Sequence, residues 1–135
     1  MAERNTPQRG DGPIVEFHDW PVAANVKIEA GNLVVLQGGY ARQGLAAAGV
    51  IAVGRAEETV DNTGGANGDK RVRVKRGCFR WNNSAAADQI TQADAGADCY
   101  AVNENTVAKT NGGNTRSRAG RVLEVDAAGV WVETY

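Results

Sequence analysis

Between Lys70 and Asn82 the chain reads K-R-V-R-V-K-R-G-C-F-R-W-N, two short runs in which apolar and charged residues alternate. A helix would scatter these side chains around its circumference, whereas a strand gathers the apolar ones on a single face. Val72 and Val74 alternate with Arg71, Arg73 and Lys75. Beyond Gly77 the apolar phase shifts by one position, and Phe79 and Trp81 alternate with Cys78 and Arg80. A one-residue bulge at Gly77 would restore a common face, so one long strand from Lys70 to Trp81 is expected. Such a strand needs a partner sheet over its Val, Phe and Trp face. The strand also presents six cations, Lys70, Arg71, Arg73, Lys75, Arg76 and Arg80, with no acid among them, a cationic ridge.

The apolar composition supports β structure. The chain of 135 residues has 16 Val against 4 Leu and 4 Ile, with 22 Ala and 17 Gly. Val-rich, Leu-poor, Gly-rich sequences favour short strands and tight turns over amphipathic helices. The length fits one domain able to bury roughly two-thirds of its unfolded surface. With so much of the apolar content in Ala the core should be thin, and association is expected to supply part of the stability.

The remaining segments divide at turn signals. Residues 1–20 are expected to form an extended N-terminal arm: polar and proline-bearing up to Pro13, then the short apolar piece Ile14–Trp20 ended by Pro21. Residues 21–135 form the β-rich domain. Val26–Ile28 and Leu33–Leu36 read as strands about a turn at Ala30-Gly31-Asn32, and Gly38-Gly39 as a tight turn. Val50–Val60 and Lys70–Trp81 should form a long hairpin, placing Glu57 and Glu58 opposite the ridge. Its connection, Thr63–Asp69, reads as an exposed glycine loop without regular structure. Ser84–Asp88 and Thr91–Asp94 are single helical turns, the second with a Thr91/Asp94 capping pair. Asp98–Val102 with Thr106–Lys109, and the two segments flanking Ala127-Ala128-Gly129, form hairpins. About eight short strands at this spacing predict an all-β antiparallel sandwich or partly open barrel.

Several chemistries find no footing. His18, the single histidine, lies on the expected arm, poor ground for a preorganised base. Cys78, Cys99 and His18 are too few for a closed zinc site, and no C-x-x-C occurs. The loop around Asp61, Asn62, Asn67 and Asp69 lacks calcium-loop spacing, and neither glycine loop matches a phosphate-binding G-x-x-x-x-G-K-[ST]. No enzyme activity, cofactor, metal or small-molecule substrate is expected. No run is long enough to cross a bilayer, no signal segment opens the chain, and two cysteines suit a reducing compartment; synthesis in a cytosol is expected. The ridge is either a solvated face paired with Glu57 and Glu58 or a contact for an acidic partner. A formal charge of −1 places protein ahead of nucleic acid as that partner.

A series of phrases resembles a known family. A-G-N-L-V-V-L at 30–36, V-G-R-A-E-E-T-V-D-N-T-G-G-A-N-G at 53–68, V-K-R-G-C-F-R-W-N-N-S at 74–84, I-T-Q-A-D-A-G at 90–96, T-V-A-K-T at 106–110 and A-G-R-V-L-E-V-D-A-A-G-V-W-V at 119–132 carry it. In number and order they are similar to the capsid decoration, or cement, proteins of tailed bacteriophages and Mu-like prophages. The resemblance covers roughly residues 22–134 and rests on turn-and-strand patterns. It implies a small β domain, usually a homotrimer, on the capsid exterior, bridging major capsid protein subunits after the head expands, with host cytoplasm as the site of assembly. It marks no individual binding residue. From the residues themselves, the candidate capsid or intersubunit contacts are Ile14, Val15, Phe17, Trp20, Arg71, Arg73, Lys75, Arg76 and Arg80.

Overall fold

The computed structural model describes residues 3–4, 6–7, 9 and 15–134; Ile14 and most of the polar segment before it lie outside the described residues. The fold is all-β. In chain order the strands are β1 (Phe17–Pro21), β2 (Lys27–Ile28), β3 (Leu33–Gln37), β4 (Tyr40–Gln43), β5 (Ile51–Ala56), β6 (Val60–Asp61), β7 (Arg71–Lys75), β8 (Gly77–Asn83), β9 (Asp98–Ala101), β10 (Thr106–Ala108), β11 (Arg118–Asp126) and β12 (Gly129–Thr134). Strands β1-β7-β5-β3-β4 form a sheet, β10-β8-β12-β11-β9 a closed barrel, and β2 with β6 a small ribbon. Pairing is antiparallel except between β10 and β8, where Thr106 and Val107 run alongside Asn82 and Asn83.

Each unit has its own core. Ile28, Val34, Val53, Val72 and Val74 are buried under the sheet. Phe79, Trp81, Ile90, Val107, Val122, Val130 and Val132 fill the barrel. This division corrects the reading of Lys70–Trp81 as one bulged strand. The apolar phase changes at Gly77 because the chain leaves one core and enters another: β7 pairs with β1 and β5, and β8 pairs with β12. At the crossing, the Arg76 amide donates to the Glu16 carbonyl at 2.7 Å.

The two units are joined by side chains that reach across. Leu33 belongs to β3 but packs in the barrel core, and its amide donates to the Glu104 carbonyl at 2.8 Å. The Arg55 guanidinium lies 4.3 Å from the centre of the Phe79 ring. Ser117 donates to the Ala47 carbonyl at 2.7 Å and accepts the Val50 amide at 3.2 Å.

Local turn chemistry is where the sequence says. Gly38 and Gly39, at φ +61° and +86°, close the β3–β4 hairpin with Gln37 opposite Tyr40. Asp126 faces Gly129 across the Ala127-Ala128 turn, and β9 pairs with β10. Ala86–Asp88 and Gln92–Asp94 are single 3-10 turns, the second with the Thr91/Asp94 capping box.

One expectation about pairing fails. The long hairpin of Val50–Val60 with Lys70–Trp81 shrinks to Arg55 opposite Lys75 and Ala56 opposite Val74. Val60 and Asp61 instead turn away to pair with Ile28 and Lys27. The loop Thr63–Asp69 is exposed and without helix or strand, as expected, and is tied down by hydrogen bonds. Buried Asn62 donates its carboxamide to the Ala23 and Ala66 carbonyls at 2.9 and 3.0 Å. Asn25 accepts the Gly64 amide and Asn67 the Ala24 amide, so side chains add to the backbone bonds of Gly65 and Gly68 in fixing the loop.

Candidate cationic-aromatic face

Strand β1 lies along β7, although Phe17–Trp20 belongs by sequence to the arm. The register sets Phe17 opposite Lys75, Asp19 opposite Arg73 and Pro21 opposite Arg71. Opposed residues in an antiparallel pair project to the same side. Buried Val72 and Val74 face the core, so Arg71, Arg73, Lys75, Phe17, Asp19 and Pro21 share the outer face. Trp20, opposite Val72, packs partly buried against the sheet's core, and the His18 ring stands edge-on to it at 4.5 Å.

On the outer face Phe17 remains 39% exposed. The Arg73 guanidinium lies 4.7 Å and the Lys75 ammonium 5.3 Å from its ring centre, holding the aromatic between two cations. Lys75 pairs with Glu16 at 3.4 Å. Arg71 donates through Nη2 to the Asp19 backbone carbonyl at 2.8 Å. Among the described residues neither Arg71 nor Arg73 has a carboxylate partner. Arg9 joins them: with Phe17, His18, Asp19, Arg71 and Arg73 it lines a shallow open cleft. Arg9 and Asp19 were not among the sequence candidates. Asp19 was legible in principle, since Phe17, Asp19 and Pro21 alternate with the same period as the cations.

The six cations do not form one ridge. Arg71, Arg73 and Lys75 lie on the sheet. Lys70, just before it, donates to the Asp61 carbonyl at 2.7 Å. Arg76, at the crossing, lines a second cleft with Glu16, Cys78, Leu123 and Glu133. Arg80 is on the barrel, 5.7 Å from the Trp131 ring. There the Trp131 indole donates to Asp126 at 2.9 Å, and that bond, with the Ala128 amide and Arg80 charge adding to it, holds the Asp126 carboxyl below its ordinary range. The acids expected opposite the ridge do not neutralise it. Glu57 pairs with Arg55 on its own side at 2.9 Å, and Glu58 accepts the Arg73 backbone amide at 3.2 Å. Val15 is half-buried just ahead of β1.

The nucleophile candidates are separated: His18 lines the cationic cleft and Cys78 the second one. Among the described residues no group of three His, Cys, Asp or Glu could hold a metal ion, and no helix is long and apolar enough to cross a membrane. Burial pushes the Cys99 thiol up to about 12, with Sγ pointing at the Gly120 carbonyl at 3.7 Å. Cys78 is raised too, by burial first and then by Glu133. Because the thiolate is the reactive form, iodoacetamide at neutral pH should label Cys78 slowly and Cys99 only after unfolding. Mass spectrometry showing two labels on the folded protein would contradict this burial.

No family model, curated protein or solved structure matches the chain.

Proposed function

We infer that this chain is a structural, non-enzymatic binding protein of the capsid-decoration kind. As an oligomer, a homotrimer by resemblance, it sits on the outer surface of a phage head and bridges major capsid subunits. The observation that carries the reading is the outer face of β1 and β7. An exposed Phe17 is flanked by cations there, and two arginines have no carboxylate among the described residues. A side chain such as Phe17 gains by being covered, and uncompensated guanidinium groups fit an acidic protein surface. Several such contacts, linked through one oligomer, act together and must be broken together, which suits a fastener on a shell strained by packed DNA.

Co-sedimentation with expanded, undecorated heads tests this. The protein should bind in near-fixed ratio to the shell subunit. The double variant Arg71→Glu/Arg73→Glu should lose at least tenfold in affinity, about 1.4 kcal/mol, while its thermal unfolding stays close to that of the parent. Failure of the parent protein to bind any head would overturn the reading. The same aromatic and arginines on a strand also suit single-stranded nucleic acid, and titration of an oligonucleotide at two salt concentrations separates the cases. A nucleic-acid binder loses affinity steeply as salt rises, with no dependence on a shell.

A further inference from the structure

We propose that β1 receives an extended acidic segment of a partner protein on its outer edge, as an added strand read by Arg71 and Arg73. This rests on the reading of the chain as a binding protein and adds the chemistry of the partner and the mode of capture.

The edge is identified by hydrogen-bond parity. Val22 donates its amide to the Lys70 carbonyl at 2.9 Å, and Arg76 donates to the Glu16 carbonyl at 2.7 Å. In an antiparallel ladder, bonded pairs recur every second residue. The even-numbered residues His18 and Trp20 therefore turn their backbone groups toward β7, and Phe17, Asp19 and Pro21 turn theirs away. Strand β1 ends the sheet; near Pro21 its outward side meets β4, where the Ala23 amide donates to the Ala41 carbonyl at 3.0 Å, and among the described residues no strand pairs with that side at Phe17–Asp19. Beyond Pro21, the isolated bridge between Val22 and Ala41 joins the chain to β4. Pro21 has no amide to donate, so an added strand would find its partners at Phe17 and Asp19.

Side chains already reach this edge. The Arg71 guanidinium crosses from β7 to the outward Asp19 carbonyl. A carbonyl has two lone pairs, so it can accept an incoming amide while the guanidinium turns to a carboxylate on the new strand. Arg9, Arg71, Arg73 and Lys75 outnumber Glu16 and Asp19 on this face, which favours an acidic segment over a basic one. Phe17 offers its exposed ring to an apolar residue at an alternate position.

The test uses the full chain, isotope-labelled, titrated with an eight-residue peptide alternating Glu with Val and Thr. Its lysine counterpart and a single-stranded oligonucleotide serve as competitors. Binding of the acidic peptide should shift the Phe17 and Asp19 amides and slow the exchange of both. Asp19→Pro removes one outward donor, leaves every arginine in place, and should weaken binding at least tenfold. Should that variant unfold, N-methylation of alternate amides of the peptide makes the same cut without touching the protein. Unchanged affinity on N-methylation, stronger binding of the lysine peptide or the oligonucleotide, or no binding of the acidic peptide would overturn the proposal. Head co-sedimentation judges the capsid reading separately: heads that bind the parent protein and Asp19→Pro equally would uphold that reading and sink strand addition.

Discussion

Replacing Gly54 with alanine should cost about 2–5 kcal/mol of folding stability, a large share of the roughly 5–15 kcal/mol that holds a domain of this size together. Gly54 sits in β5 at φ +139°, and a Cβ built there collides with the Lys75 carbonyl oxygen of β7. The left-handed backbone accounts for about 1–2 kcal/mol of the loss and the forced separation of the strands for about 1–3 kcal/mol. The collision is with backbone, so no side chain can rotate to relieve it. Gly54 lies just before the residue pairs that join β5 to β7, Arg55 with Lys75 and Ala56 with Val74. Strand β7 carries Arg71 and Arg73, so the variant should also bind more weakly than its residual stability alone explains. Urea unfolding with an unchanged m-value measures the stability term. A loss below about 1 kcal/mol would mean that β5 and β7 are not this close.

Asn62→Ala should cost about 2–3 kcal/mol, lowering the melting temperature by roughly 8 °C. The carboxamide is 2% exposed and ties the Ala23 carbonyl to the Ala66 carbonyl across some forty residues of chain. Its removal takes this donor from the half-buried Ala23 carbonyl, leaves the Ala66 carbonyl with only the Asp69 amide at 3.2 Å, and loosens the loop that follows β6. Asn67→Ala is the matched comparison. Asn67 is exposed and accepts one bond, from the Ala24 amide at 2.7 Å, so its loss should cost about 1 kcal/mol. Equal melting temperatures for the two variants would show that the 62–69 loop is held by something other than Asn62.

These two sites mark the boundary between what is legible in sequence and what is not. Turns whose chemistry is complete within four residues are readable: Gly38-Gly39 supplies its own positive φ angles, and Thr91 finds Asp94 three positions on. The loop after Asn62 is exposed and irregular as its glycines imply, but glycine content describes only local backbone freedom and not what holds the loop in place. The residue that orders the loop is buried by contact with Ala23. The phase shift at Gly77 was visible, but a bulge and a passage between two cores have the same period-two signature. Only the pairing of β8 with β12 separates them. Likewise Glu57 and Glu58 were sound candidates to neutralise the ridge until Arg55, two residues earlier in the chain, took Glu57.

The candidate face was half readable. The arginines and Phe17 stand out in the sequence as charged and apolar residues without a local reason to be where they are. Their meeting required β1 to lie beside β7 in one register; a shift by one residue would have sent Phe17 to the opposite side of the sheet.

Alternation and turn chemistry, which act between neighbours in the chain, by themselves determined that this protein is built of short antiparallel strands with arginine-rich outer positions. The tertiary structure alone decided that there are two cores, that the cations divide between them, and that among the described residues no strand covers the outer edge of β1 at Phe17–Asp19. Those outcomes depend on which strands pair across long stretches of chain. The energies that choose the pairing, burial of valines from distant segments and the close approach of backbones at Gly54, leave no periodic mark in the sequence.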